Sequence, residues 1–397
     1  MTKHNHDNIQ LLQSDDLDLR LVRLREIMSA EDVDAILISS NANIYYLTGR
    51  VFCGYIYVPL TGNIKYVVRR PSVLQDPDAI YIRKIEDLPE KLNLSDVTLG
   101  LEMSSATYST VLRIKKAFGD NINYADASSI LMQARAVKTD FELDKIRNSG
   151  IRQTSLYERI PRLYQPGMRD IDLQIEIESA ARKEGCLGQF RINGDDMELF
   201  MGSILVGDNA DNPSPYDFAM GGAGLDPSLP VGADGSLIRR GESVMVDVNG
   251  NFTGYMTDMT RCYAISDNLS ERVLKAHQTS IDICNALAYM GRVGVEAKKL
   301  YEKARLMACE AGFENEFMGH KQHAGFVGHG VGIEINELPV LAPRSKSVLQ
   351  AGNVIAIEPK FVIPGVGAVG IENTYVVKAD GPMECVTHAP TQIIYFE

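Results

Sequence analysis

The stretch Val246–Arg261, VDVNGNFTGYMTDMTR, places two acids inside strand-like sequence. Val244–Val248 (VMVDV) and Thr253–Ile265 (TGYMTDMTRCYAI) are strand-like runs on either side of a Gly250-Asn251 turn, the pattern of an antiparallel pair. Asp247 and Asp258 stand eleven residues apart, one on each arm, so the return strand can bring the second carboxylate beside the first. Strand side chains alternate between faces, which puts Asp247 on the face of Met245. A carboxylate among apolar neighbours is costly without a neutralising partner. The arrangement recurs downstream. Glu358 lies in Val354–Val362 (VIAIEPKFV), on the face of Val354 and Ala356, and Glu372 lies in Val369–Val377 (VGIENTYVV), after a Pro364-Gly365 turn. Antiparallel strands alternating with amphipathic helices predict an α+β fold.

Four acids brought together would repel one another and raise at least one pKa unless a cation joined them. His329, in Gly328–Glu334 (GHGVGIE), adds an imidazole in a setting where small residues allow close backbone approach. One imidazole with carboxylates is a donor set for manganese, cobalt, zinc or iron. Two bridging acids would let the set hold a pair of ions about 3.5–4 Å apart. Taken singly, each acid also reads as an edge or salt-bridged residue, and His329 as a structural histidine. The chain has no GxxxxGK[ST], HExxH or GxSxG segment and no dinucleotide fingerprint to compete with this cluster.

Outward from the cluster, the 397 residues exceed one ordinary domain. The first fifteen read as a loose arm. Leu17–Ala30 has one apolar helical stripe, Val33–Ser40 reads as a buried strand followed by Tyr45–Gly49, and Gly54–Val68 reads as a hairpin about Thr61-Gly62-Asn63. A mixed α/β domain is therefore expected over 1–135. A second domain over 136–397 opens with a charged helix, Thr139–Ile160, capped by Thr139 or Asp140. Further helices are expected at Asp170–Glu184, Glu271–Tyr289 and Val295–Ala311. The Gly-rich run Phe218–Gly235 reads as a loop that can line a cleft.

Hydrophobic residues make up 45% of the chain, enough for substantial cores. The net charge of -12 argues against a nucleic-acid partner. The polar N-terminal stretch and the absence of a long apolar run imply no membrane partner and a cytoplasmic location. Six scattered cysteines fit reduced thiols.

The motifs together resemble the prolidase, aminopeptidase P and creatinase family. They are Asn43–Gly49 (NIYYLTG), Ala134–Arg147 (ARAVKTDFELDKIR), Val246–Arg261, GHGVGIE, Ala356–Pro359 (AIEP) and Gly370–Val377 (GIENTYVV). The ordered set Asp, Asp, His, Glu, Glu is the specific part. The resemblance implies a C-terminal pita-bread catalytic fold behind a smaller α/β domain. It also implies two divalent ions, with Asp247 on one, Asp258 and Glu372 bridging, and His329 and Glu358 on the other. A metal-activated water would then cleave a short peptide, as in Xaa-Pro dipeptidases or aminopeptidase P. A homodimer is implied too, with Tyr45 and Tyr46, which read as aromatic residues at a strand end, in a segment that in relatives often approaches a neighbouring active site, where they are candidate substrate contacts.

The periphery departs from the peptidase pattern. Val231 stands where family peptidases commonly place the His of a Pro-His-Gly segment, and Asn336, followed by Glu337, stands where they carry a second His. Gly370 replaces a common Arg, and Gly325 a further His. Valine moves no proton, and asparagine is no base at neutral pH. His320 and His323 are candidate substitutes, Asn336 a candidate substrate contact, and Glu358 a candidate proton carrier. Glu337 reads as a support. The same scaffold also suits an amidinohydrolase, a hydrolase of solute derivatives, or a metal-dependent lyase with a base drawn from Tyr216, Asp226, Asp234 or Tyr255. Asp226 reads equally well as a turn cap. A noncatalytic binding module is the third alternative.

Overall fold

Eighteen strands and nine α-helices are found among the residues described by the computed structural model: 12–74, 76, 79–194, 199–216 and 220–396. Cα proximity divides the chain into two units, Met1–Arg135 and Ala136–Glu397. Most of the expected N-terminal arm lies outside the described residues; from Ser14 the chain is helical.

The first unit carries a six-stranded mixed sheet. Its strands are β1 (Ala35–Ile38), β2 (Cys53–Pro59), β3 (Lys65–Arg70), β4 (Ala79–Tyr81), β5 (Val97–Leu101) and β6 (Ile122–Asp126), in the order β4-β3-β2-β1-β5-β6. The β2–β3 hairpin has the expected position. All four residues of β1 are buried, as a central strand covered on both faces requires. The helices are α1 (Ser14–Ala30), α2 (Asn41–Thr48), α3 (Leu88–Leu92), α4 (Tyr108–Phe118) and α5 (Ser128–Ala136). Tyr45 and Tyr46 lie within α2, not at a strand end. Caps override aromatic β-propensity here: the Ser40 side chain accepts from the Asn43 N–H, and Gly49 closes the helix at φ +67°.

In the second unit the helices are α6 (Asp140–Arg159), α7 (Asp170–Lys183), α8 (Glu271–Met290) and α9 (Ala297–Glu310). Thr139 and Glu142 form a reciprocal capping box at the start of α6. One antiparallel core comprises β7 (Gly202–Val206), β8 (Val244–Val248) and β11 (Thr260–Ala264), with β18 (Ile394–Tyr395) added in parallel to β11. Val244, Val246 and Val248 pack into an apolar cluster with α6 and α7. Met245, on the other face, joins a cluster built on α8 and α9. The first expected hairpin pairs Asp247 with Thr260. Its reversal falls at Phe252–Tyr255, because Gly250-Asn251 (β9) is itself paired with Met256-Thr257 (β10).

The second expected hairpin divides between two sheets. β13 (Val354–Ile357) pairs with β16 (Asn373–Val376) in the sheet β12-β13-β16-β17, whose outer members are β12 (Gly328–Gly330) and β17 (Glu384–Cys385). β14 (Lys360–Ile363) and β15 (Gly367–Gly370) form a separate ribbon. The arms change sheet at Glu358-Pro359 and at Ile371-Glu372, opposite one another. Pro359 lacks the N–H that would continue the ladder. Both glutamates therefore leave the regular pairing at one level and turn toward the end of β8.

Candidate metal centre

Five side chains named by the sequence converge. Asp258, His329 and Glu372 offer ligand atoms within 4.8 Å of one another, and so do Asp247, Glu358 and Glu372. Asp247 comes from β8, Asp258 from the turn into β11, His329 from the middle of β12, and the glutamates from the sheet breaks. His329 Nδ1 lies 3.2 Å from the Gly330 carbonyl, which aims Nε2 inward, 3.2 Å from Glu358 Oε1 and 3.9 Å from Asp258 Oδ2. Asp258 is held by its backbone N–H donating to Thr374 Oγ1 at 2.8 Å. The Thr260 hydroxyl donates to Glu372 Oε2 at 2.7 Å.

The sequence reading missed two residues here. Arg261 is fully buried, and its guanidinium donates to the carbonyls of Thr260, Glu372, Ala389 and Pro390 and to Asn373 Oδ1. It fixes the Glu372 backbone against β11. Lys360, the first residue of β14, is also fully buried. Its Nζ donates to Asp247 Oδ2 at 2.8 Å, Glu358 Oε2 at 2.8 Å and Glu372 Oε2 at 3.2 Å. Arg261 closes the quoted motif, and Lys360 stands two residues after a candidate ligand, but no spacing rule marks either.

The electrostatics follow from burial and mutual charge. Burial, with Asp247 nearby, raises Asp258 to about 7. Burial, then Asp258 and Glu358, raises Glu372 well above the carboxylate range. Burial acts to raise Glu358 as well, but Lys360 and His329 outweigh it and hold it at about 2. Burial disfavours a charged His329, yet Glu358 and Asp258 prevail and raise it to about 9. Two cations and one retained carboxyl proton thus offset much of the charge of four acids. Even so, the buried Glu372 Oε1 has no hydrogen-bond partner, and Glu358 Oε1 has only the His329 imidazole, 3.2 Å away. Together with Asp258 and His329 they form a donor set that fits one hard or borderline divalent ion.

The cluster forms the floor of a cavity of about 580 Å³. Its walls are largely apolar, with Phe190, Ile192, Leu199, Met220, Phe326 and Ile335. Asn336 lines it too, but its amide clasps the Asn193 backbone, with Oδ1 accepting from N–H at 2.7 Å and Nδ2 donating to the carbonyl at 2.5 Å. Glu337 is buried; it receives Lys138 Nζ at 2.9 Å and the Glu334 N–H at 3.1 Å, and so braces the loop after β12. His320 is bonded to Asp211 (3.0 Å) and His323 to the Phe317 carbonyl (2.9 Å). Neither lines the carboxylate cavity; His323 and Tyr216 border a separate one of about 400 Å³. Val231 and Tyr255 are buried outside both linings. Asp226 is exposed and accepts the Ser228 N–H, the geometry of a turn cap. Asp234 likewise accepts from the Ser236 N–H. In the first unit, Tyr46 is buried with its hydroxyl 3.4 Å from the Ala134 carbonyl, and Tyr45 is half-buried.

The model of metallopeptidase family M24 matches residues 144–379, which contain every member of the cluster. The chain belongs to metallopeptidase family M24. The creatinase/prolidase N-terminal domain matches residues 20–137. The fold is the α+β pita-bread fold of that family, with a creatinase-like domain N-terminal to it in sequence. The chain is 25% identical over 388 residues to an uncharacterized peptidase, YqhT, of Bacillus subtilis, covering 95% of this chain and 99% of that one. It is 24% identical over 382 residues to an Xaa-Pro dipeptidase of Pyrococcus horikoshii, covering 92% and 96%. The solved Xaa-Pro dipeptidase of Bacillus anthracis superposes with a TM-score of 0.78 at 22% identity, covering 96% and 99%. Among the described residues no helix is long and apolar enough to cross a membrane.

Proposed function

We propose that this M24 member hydrolyses a short peptide or a related small amide, bound in the apolar cavity with its scissile carbonyl over the carboxylate cluster. The observation that carries this reading is the buried, partnerless Glu372 Oε1, with Glu358 Oε1, His329 and Asp258 beside it at the cavity floor. Such atoms are stabilised when a cation joins them. Asp258, His329, Glu358 and Glu372 would hold the ion. A divalent ion there supplies Lewis acidity to a carbonyl and lowers the pKa of water. This chain's residues would do the rest. Phe190, Ile192, Phe326 and Ile335 exclude bulk water and pack the substrate, and Glu358 carries a proton between the water and the leaving amine.

A second reading draws on the cavity wall. His329 is the one imidazole among the described lining residues, and the Asn336 amide is already engaged with the backbone. Such a wall supplies no separate acid to a leaving amine and suits a compact amide or amidine as well as a dipeptide. The relatives' names favour Xaa-Pro dipeptides as the first panel to try.

Incubating the divalent-metal-loaded chain with Ala-Pro, Gly-Pro and non-proline dipeptides and measuring free amino acid tests the proposal. Release that disappears in Asp258→Asn is expected. Metal-bound protein inert on the whole panel would refute peptide cleavage and move the assignment to the non-peptide amides. Subunit association is tested separately, by sedimentation, with a homodimer expected.

A further inference from the structure

Lys360 places a cation where the family resemblance asks for a metal ion. The oxygens it contacts, Asp247 Oδ2, Glu358 Oε2 and Glu372 Oε2, come from one of the two candidate ligand triads. An ammonium has three donors, and three acceptors surround this one at 2.8, 2.8 and 3.2 Å. An ion bound to the same oxygens at the usual distance of about 2.0–2.2 Å would have to occupy the space of Nζ.

The backbone holds the lysine there. Lys360 pairs with Gly370 across the β14–β15 ribbon, its N–H approaches Met318 Sδ, and its carbonyl accepts from the Met318 N–H. Gly370 has φ +144°, and a Cβ at that position would stand 2.7 Å from the Pro359 carbonyl oxygen and 3.0 Å from Lys360 Cα. The glycine that replaces the expected arginine is thus the residue that lets Lys360 enter the cage at this depth.

The other half of the cage is left open to a ligand. Glu358 and Glu372 each turn one oxygen to the lysine and keep the other buried toward Asp258 and His329; that of Glu372 has no hydrogen-bond partner, and that of Glu358 faces His329 Nε2 at 3.2 Å. Charge agrees with this division. Four carboxylates, one ammonium and one divalent ion leave a net charge of -1, whereas a second ion gives +1 and sets two metal ions against an ammonium in a buried site.

We propose that the Lys360 ammonium permanently replaces one of the two ions, so that each chain binds a single divalent ion on the Asp258–His329–Glu372 side. A lysine brings one charge and no open coordination position, so the substrate meets one Lewis acid, not two. The inference deepens the proposed function in its metal content and is independent of which amide is cleaved.

The test is metal stoichiometry on the full-length chain saturated with Mn2+ and freed of excess by dialysis. Elemental analysis should give one manganese per chain for the wild type and two for Lys360→Gly, with circular dichroism and melting as fold controls. Electron paramagnetic resonance of the wild type should show isolated Mn2+ and no spin-coupled pair. Two ions or none in the wild type, or a coupled-pair spectrum, overturns the proposal. So does a folded Lys360→Gly that still holds one ion. Should that variant not fold, the wild-type stoichiometry and spectrum decide alone. A failed peptide panel with one ion bound refutes peptide cleavage and leaves this inference standing.

Discussion

Glu102 in the first unit and Glu372 in the second are both almost fully buried carboxylates, and they are treated in opposite ways. Around Glu102 the chain supplies neutral donors. The backbone N–H groups of Ser39 and Ser40, both serine hydroxyls and Asn43 Nδ2 converge on its two oxygens. That is a structural acid, tying the start of α2 to the end of β5. Glu372 instead faces three other acids, accepts from Thr260 and Lys360 on one oxygen, and leaves the other bare. Burial alone does not mark a functional acid; incomplete satisfaction beside like charges does.

The contrast breaks if removing Glu102 is harmless. Glu102→Ala strands two backbone N–H groups and the Asn43 amide, and should cost about 3–4 kcal/mol in urea unfolding, since each hydrogen bond to a charged group contributes roughly 1.5–3 kcal/mol without being additive. Manganese affinity should not change.

A buried imidazole outside the cage offers the next largest effect. His277 is buried, with Nε2 2.8 Å from the Thr391 carbonyl, and burial lowers its pKa to about 4. A lowered histidine pKa means that the unfolded chain binds the proton more tightly. Its contribution is therefore fully present above pH 6.5 and is lost as pH falls from 6.5 through 4, amounting to about 3 kcal/mol. Unfolding curves of wild type and His277→Gln across pH 7 to 4 should converge as the pH drops; parallel curves would remove His277 as the cause.

Within the cage the expected losses are of ion binding. His329→Gln should weaken manganese binding at least about 100-fold, the upper end of what loss of an outer-shell partner costs. Glu372→Gln sharpens the comparison further. Because burial and its acidic neighbours already favour its neutral form, the metal-free variant should lie within about 1 kcal/mol of the wild type, on the scale of a neutral hydrogen bond, while ion binding is lost. A large loss of metal-free stability would place Glu372 in the same class as Glu102. At the cavity wall, Asn336→Ala removes the clasp on the Asn193 backbone and should cost about 1–2 kcal/mol without loss of ion binding, with KM rising more than kcat falls.

How much of this could be read from the sequence depends on how local its cause is. Acids in β-branched runs break a strand's own pattern, so Asp247 and Glu358 were visible without any partner. The capping box at Thr139 is local for the same reason. The resemblance carried the ordered ligand set and the fold. What escaped was set by tertiary contact. Lys360 in VIAIEPKFV has the look of an ordinary edge lysine, and only the sheet break at Glu358-Pro359 turns it inward. His320 and His323 lie near His329 in sequence, yet the Gly-rich loop directs them to Asp211 and to the Phe317 carbonyl. The aromatic pair in α2 suggested a strand end because the caps at Ser40 and Gly49 were given less weight than the rings between them.

The most direct measurement is an anomalous difference map from crystals of the wild-type chain grown with Mn2+. One peak bonded to Asp258, His329 and Glu372, with the Lys360 ammonium still on Asp247, is the predicted result. Two peaks with Lys360 displaced, or an empty cage at saturating manganese, would contradict it.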